Sequence, residues 1–133
     1  METTLCAMAI VLVFANLGGK AMGDQIQVRI QNQLGEAMNI KIHCQTREKD
    51  LGSKVIAKGE EIEWRTISTK QGLPYYCDVE WNEGNGFRFK AFSSSKGGRC
   101  QSECFWGIRE GGPLLLNQHK GTWDLMPFNP LPV

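Results

Sequence analysis

The sequence predicts an all-β fold in one small domain that is stabilised by disulfides. Three observations lead to this prediction. Short runs of alternating apolar and polar residues recur about every ten residues, with glycine-containing turns between them. No segment carries the sustained i, i+3, i+4, i+7 apolar pattern of an amphipathic helix. Four of the five cysteines follow an apolar leader, and an even number of cysteines in a small exported protein indicates two disulfides.

The first 23 residues have the features of a cleaved signal peptide. Residues 5–17 form a nearly unbroken apolar run, but a helix of that length spans only about 20 Å, less than the ~30 Å of a bilayer core. Ala21 and Gly23 are small residues at the positions that signal peptidase prefers, so we predict cleavage after Gly23. The alternatives are a short membrane anchor or a buried helix. The prediction is therefore a secreted mature domain, residues 24–133, with no stable membrane insertion after signal removal.

The mature domain is close to electrically neutral. The chain has 15 basic and 14 acidic residues, and the leader removes one of each, Lys20 and Glu2. A near-neutral domain has no general electrostatic attraction to nucleic acid or to anionic lipid. We therefore expect no nucleic-acid partner.

The mature region contains seven segments that read as strands. In five of these segments apolar residues alternate with polar ones: 26–30, 38–44, 62–66, 75–81 and 87–91. The other two are a minor strand at 55–57 and a strand around Trp106 and Ile108 at 105–109. Residues 32–36 read as a turn around Gly35, and the charged stretch 47–50 reads as a surface loop. The glycine-rich turn at 82–86 is too short for a crossover, so the strands on either side of it are expected to pair antiparallel. These features predict an antiparallel two-layer sandwich or a barrel.

The aromatic residues separate into core and surface candidates. Trp64 and Trp81 are in phase with the apolar residues of their strands, which predicts that they are buried. Trp123 lies in the tail and Tyr76 on the polar phase of its strand. These two residues support an alternative function, a carbohydrate- or cell-wall-binding module.

Catalytic groupings are sparse. His43 and His119 are the only histidines, and as an acid and a base they define a second alternative, a small secreted hydrolase. Cys100 and Cys104 have a spacing that zinc sites use, but the other two cysteines do not form a second tight pair. We therefore predict a protein that is not an enzyme and that has neither a metal nor a cofactor.

Several landmarks follow one another in a fixed order along the mature domain. They are the segments 28–34 (VRIQNQL), 40–44 (IKIHC), 50–52 (DLG), 59–64 and 87–92, the pair Tyr76-Cys77 with Trp81, the pair Cys100 and Cys104, and the segments 106–108 (WGI) and 111–113 (GGP). Together they resemble the plant self-incompatibility protein family, the S-protein homologues. The resemblance implies a single-domain antiparallel β-sandwich, here of about seven to eight strands with two disulfides. It also implies an extracellular signalling ligand for a cell-surface receptor, of the type that leads to rejection of self pollen.

Four cysteines allow three pairings. We favour Cys77–Cys100 and Cys44–Cys104. The hairpin returns the chain near Cys77 by residue 90 or 91, and a short loop then brings Cys100 to it. The second bridge would close a long loop, which stabilises a fold more than a short one does.

Three loops are candidate contacts with the receptor, because loops are exposed and can vary without harming the core. They comprise residues 47–50, 82–86 and 93–99. The candidate contact residues in these loops are Arg47, Glu48, Lys49, Asp50, Asn82, Glu83, Asn85, Lys96 and Arg99. We expect the protein to be a monomer.

Overall fold

The computed structural model describes residues 25–67, 73–82, 84–93, 100 and 102–132. The predicted signal peptide lies outside these residues. The described part contains ten strands: β1 (Gln25–Asn32), β2 (Ile40–Gln45), β3 (Asp50–Ile56), β4 (Glu61–Ile67), β5 (Tyr75–Glu80), β6 (Gly86–Phe92), β7 (Glu103–Arg109), β8 (Gly112–Asn117), β9 (Thr122–Leu125) and β10 (Phe128–Pro130).

The strands form two five-stranded sheets. Sheet A has the order β4-β1-β7-β8-β9, and sheet B has the order β10-β6-β5-β2-β3. Neighbouring strands are antiparallel, as predicted for β5 and β6, except that β1 and β7 run parallel. The predicted all-β sandwich is confirmed, with one parallel pair at the centre of sheet A.

The two sheets pack against each other through one hydrophobic core. The alternation in β1 directs Ile26, Val28 and Ile30 inward, where at most 7% of each residue is exposed. Trp106 of sheet A packs on Phe89 of sheet B, with ring centroids 4.7 Å apart. The aromatic side chains thus connect the layers as well as filling the space between them.

Asn32 is a fully buried polar residue at the end of β1. Its side-chain amide donates to the backbone carbonyls of Met38 and Ile56 at 2.8 and 3.1 Å. Its side-chain oxygen accepts a hydrogen bond from the Leu34 N–H at 3.1 Å. All the polar groups of the side chain are therefore satisfied, as burial requires. The predicted turn begins one residue later than expected, because Asn32 completes the strand.

The structure has more strands than the seven to eight that the sequence predicts. The additional strands are mainly β8, β9 and β10 in the C-terminal tail. β8 is not predicted from the sequence, because apolar residues occupy both faces of the strand and there is no alternation in the run Leu114-Leu115-Leu116. The other difference is β3, which begins at Asp50 and joins the predicted minor strand to the end of the predicted loop.

Candidate partner-binding surfaces

The two disulfides differ from the predicted pairing. Cys44 is bonded to Cys77, and Cys100 is bonded to Cys104. Cys44 and Cys77 are directly opposite each other on β2 and β5, with their Cα atoms 4.1 Å apart. Cys104 lies on β7 in the other sheet. The predicted Cys44–Cys104 and Cys77–Cys100 bridges are wrong because the hairpin argument did not place β2 beside β5.

The first predicted loop is a tight turn between β2 and β3. The Thr46 hydroxyl accepts hydrogen bonds from the backbone N–H groups of Glu48 and Lys49 at 3.1 and 2.9 Å. The Thr46 N–H donates to the Lys49 carbonyl at 2.8 Å. These bonds fix the backbone, while Arg47, Glu48 and Lys49 remain exposed. The turn therefore presents charged side chains on an ordered frame.

Asp50 belongs to β3 rather than to the loop. Its carboxylate accepts a hydrogen bond from the Gly52 N–H at 2.8 Å and lies 2.6 Å from His43 Nε2. The Gly52 N–H and then the His43 ring lower the pKa of Asp50, because both interactions favour the carboxylate. The contact between His43 and Asp50 therefore links the beginning of β3 to β2.

The second predicted loop connects β5 to β6. It is closed by a hydrogen bond from the Trp81 N–H to the Asn85 carbonyl at 3.1 Å. Asn82 has a φ of 55°, a left-handed conformation in which asparagine is enriched among non-glycine residues. A groove of about 360 Å³ lies beside the loop, and its lining includes Asn82, Lys41 and Val55. This loop therefore borders a concave surface.

The strand directions place these loops at two ends of sheet B. β2 ends at the 46–49 turn, and β5, which is antiparallel to β2, ends at the 81–85 loop. β6 ends beside the beginning of β5, at the same end of sheet B as the 46–49 turn. Residues 94–99, most of the third predicted loop, lie outside the described residues. Three of the candidate contact residues lie outside the described residues: Glu83, Lys96 and Arg99. The described candidates do not form one continuous surface.

The solvent-facing side of sheet B carries charged side chains in pairs. Arg88 contacts both carboxylate oxygens of Asp78 at 2.6 and 2.9 Å. This bidentate contact raises the pKa of Arg88. Lys41 and Glu80 are 3.9 Å apart on neighbouring strands. The charges of this face are largely compensated within the face itself.

One half of the solvent-facing side of sheet A is also charged. Arg29 on β1 contacts Glu61 on β4 at 3.0 Å and Glu103 on β7 at 2.7 Å. The hydrogen bond to Glu61, followed by that to Glu103, raises the pKa of Arg29 against the opposing effect of desolvation. The guanidinium also lies 3.9 Å from the centre of the Phe105 ring. Arg29 thus forms the border between the charged half and the rest of the face.

The other half of that face is apolar. Leu114 and Leu116 on β8 are opposite Leu125 and Trp123 on β9. The Trp123 ring meets the edge of the Phe105 ring with centroids 5.3 Å apart. Leu125 is 58% exposed. We call these five residues the apolar patch. The patch was not predicted from the sequence, although the three consecutive leucines and the Trp123-x-Leu125 spacing are its signal.

The aromatic predictions have different outcomes. Trp81 is buried as predicted, with 7% of its surface exposed. Trp64 is partly buried and packs on Tyr75 with ring centroids 5.3 Å apart. Tyr76 lies on the outer face of sheet B and Trp123 on the outer face of sheet A. These last two residues do not form one carbohydrate-binding platform.

The two histidines belong to different sheets. His43 faces solvent from β2, and His119 lies in the turn between β8 and β9. The shallow groove beside His43 is lined by Lys41, Ser53 and Asp78, among others, and His119 is not part of it. This geometry does not support a shared acid–base site.

Two further kinds of feature are absent from the described residues, a metal-ligand cluster and a membrane-spanning helix. No group of three or more His, Cys, Asp or Glu side chains is arranged to hold a metal ion within these residues. The same part of the chain contains no helix with the length and apolar character needed to cross a membrane.

Comparison with known proteins identifies relatives over most of the chain. Residues 27–127 match the model of the plant self-incompatibility protein S1 family. Self-incompatibility protein S1 of Papaver rhoeas is 28% identical over 106 residues, which cover 75% of this chain and 74% of that protein. S-protein homolog 2 of Arabidopsis thaliana is 32% identical over 110 residues, which cover 77% of this chain and 67% of that protein.

A solved structure has the same fold. It belongs to the SPH proteins, described as a widespread family of small, highly stable, secreted proteins from plants. The two structures superpose with a TM-score of 0.54 at 19% identity, over 82% of this chain and 93% of that one. Because the family model matches about three quarters of the sequence, this chain belongs to the plant self-incompatibility protein S1 family.

Proposed function

We propose that the protein is an extracellular signalling ligand that binds a cell-surface receptor, of the type used in self-incompatibility. The observation that supports this most is the family match, which spans residues 27–127 and includes nearly all of the sandwich. A secreted location fits the apolar leader and the two disulfides, which persist in oxidising compartments.

The loops at the two ends of sheet B are the proposed contacts. The 46–49 turn holds Arg47, Glu48 and Lys49 on a backbone that is already ordered before binding. An ordered loop loses less conformational entropy on association than a loose one. At the other end, Asn82 borders the groove, and Asn85 closes the same loop by accepting the hydrogen bond from the Trp81 N–H. Asp50, Glu83, Lys96 and Arg99 complete the proposed set, and the last three lie outside the described residues.

Binding to intact cells tests this function. The full chain is expressed with a C-terminal tag in plant cells, and the protein is purified from the medium. We expect saturable binding to pollen, stigma or root cells, which untagged protein displaces. Proximity labelling with the same protein would then identify the receptor. If the protein bound none of these cells saturably, the proposal would be wrong.

A charge variant of the 46–49 turn tests the loop contact separately. Arg47→Ala with Lys49→Ala removes two exposed charges from the turn. The matched control is Lys54→Ala with Lys58→Ala, which removes the same charge from exposed positions outside the turn. We expect the first variant to bind cells more weakly than the control. Equal binding of the two variants would remove the turn from the contact surface.

A further inference from the structure

We propose that the apolar patch of sheet A is a docking surface for an extracellular protein segment whose apolar side chains are flanked by carboxylates. The proposed surface adds a contact to the proposed function. It rests on that function in one respect, because it takes the partner to be part of a receptor. The three loops do not include this surface.

The composition of the outer face of sheet A changes between its β1 and β4 half and its β7, β8 and β9 half. The exposed side of an antiparallel sheet normally carries polar residues, as the β1 and β4 half of sheet A does. On β7, β8 and β9 the same side carries the apolar patch instead. A cluster of this kind, bordered by polar residues, marks an interaction site more often than a scattered surface leucine does. The cluster spans three adjacent strands and includes Trp123, a residue type enriched at the centres of interfaces.

The two aromatic rings of the patch are arranged edge to face. Phe105 and Trp123 meet at an interplanar angle of 66°, and Arg29 lies over the Phe105 ring. The two rings are not coplanar, so they do not offer the flat stacking surface that a sugar chain would use. The interlocked side chains instead form a preorganised apolar surface, which suits the side chains of a protein segment.

A cationic side chain lies at each end of the patch. Arg109 ends β7, and Lys120 lies in the turn between β8 and β9. Both residues are exposed. Arg109 donates to the side-chain oxygen of Gln33 at 3.2 Å, and within the described residues neither cation forms an ion pair with a carboxylate. Each end of the patch therefore offers a positive charge to a partner.

The nearby carboxylates are already engaged. Glu103 is bonded to Arg29, and Glu110 accepts hydrogen bonds from the Gly35 N–H. Asp124 accepts a hydrogen bond from the Thr122 hydroxyl at 3.1 Å. Because these carboxylates already have partners, Arg109 and Lys120 remain available to attract the carboxylates of an incoming partner.

The charges at the ends favour an acidic partner over a second copy of the chain. If two patches packed together, cations would meet cations whether the β8 strands ran in the same or in opposite directions. Juxtaposed like charges oppose association. Carboxylates on a partner, placed on either side of apolar side chains, would complement both ends. The six residues of β8 set this spacing at about 20 Å, at ~3.4 Å per residue.

The test selects displayed random peptides of sixteen residues on immobilised protein purified from the medium of cells that express the full chain. We expect the selected peptides to share apolar residues flanked by Asp or Glu. Leu125→Asp, which places a charge in the patch, should weaken their binding about tenfold or more. Arg109→Glu with Lys120→Glu should weaken it as well. The control is Ile67→Asp on β4, because Ile67 is 39% exposed and lies outside both the patch and the groove. Melting curves check that each variant is folded.

Several outcomes would overturn the docking surface. They are a failure to select any such peptide and selected peptides that bind Leu125→Asp as tightly as the wild type. Binding to vesicles of three parts phosphatidylcholine and one part phosphatidylglycerol, lost in Leu125→Asp, would assign the patch to a lipid surface instead. A dimer in sedimentation equilibrium that Leu125→Asp dissociates would assign it to a second copy.

Cell binding separates this inference from the proposed function. If wild-type protein and Ile67→Asp bind cells and Leu125→Asp does not, both proposals are supported. If all three bind equally, the patch is not the receptor contact and the ligand function stands. If none binds cells but the patch-dependent peptides are selected, the receptor function is wrong and the docking chemistry stands.

Discussion

The outer faces of the two sheets differ in the kind of side chain that they expose. On sheet B, Arg88 pairs with Asp78 and Lys41 lies near Glu80, so opposite charges compensate each other within the face. On sheet A, the charges are confined to one half, and the other half exposes apolar side chains such as Leu125. Both sheets contribute buried side chains to the core. The difference shows that residues outside the core determine which face has surface left for a partner.

The largest expected effect concerns the disulfide that joins β2 to β5 in sheet B. Cys44→Ala with Cys77→Ala removes a bridge across a sequence separation of 33, worth about 4 kcal/mol in the chain-entropy model. Cys100→Ala with Cys104→Ala removes a bridge across a separation of only 4, worth about 2 kcal/mol. Urea denaturation measures both. A larger loss from the second variant would show that the region before β7 depends on its bridge more than sheet B does.

The next effect contrasts the two faces of sheet A. Leu115 points into the core and is 4% exposed, whereas Leu125 belongs to the apolar patch. Leu115→Ala should lower the free energy of unfolding by about 3 kcal/mol, through lost burial and the cavity that remains. Leu125→Ala should change it by no more than about 0.5 kcal/mol. Equal losses in denaturation experiments would mean that the patch is part of the stabilising core and not a free surface.

The core could be predicted from the sequence wherever one face of a strand is polar. Val28 and Val79 alternate with polar neighbours, and both are fully buried. The alternation fails in β8, where Leu114, Leu115 and Leu116 are all apolar although the strand has two different faces. The leucines of β8 that belong to the apolar patch are therefore also the reason why the patch could not be predicted from alternation.

The disulfide pairing was beyond the sequence for a different reason. A hairpin argument relates strands that are neighbours along the chain, but β2 pairs with β5 across two intervening strands. The parallel contact of β1 with β7 is equally non-local. The candidate loops could be located from turn chemistry, but their separation to two ends of sheet B follows only from strand order. Local patterns predict the strands, and long-range pairing determines which loops are neighbours.

A smaller effect compares the ion pairs of the two faces. Arg29→Gln leaves Glu61 and Glu103 without their common cation, and we expect a loss of about 1 kcal/mol. Arg88→Gln removes a single, more exposed pair with Asp78, and the loss should be about 0.5 kcal/mol. Added salt should reduce the second loss more than the first, because exposed charges are screened more strongly. The opposite order in denaturation at low and high salt would contradict the view that the charged half of sheet A is the better-connected one.

The smallest effect concerns Glu110, next to one cationic end of the apolar patch. Its own backbone N–H and that of Gly35 lower the pKa of its carboxylate. A lowered pKa means that the stabilisation is complete above the ordinary glutamate pKa of about 4.3 and is lost as the pH falls through the folded value. Glu110→Gln should therefore melt slightly below the wild type at pH 7, by less than Arg88→Gln does. The gap should close in more acidic solution.

Glu48→Gln, in an exposed turn, controls for the loss of one surface charge. A gap that widened with acid would show that the contact with Gly35 does not depend on the ionised carboxylate. Glu110 would then be held less firmly beside Arg109 than the proposed docking surface requires.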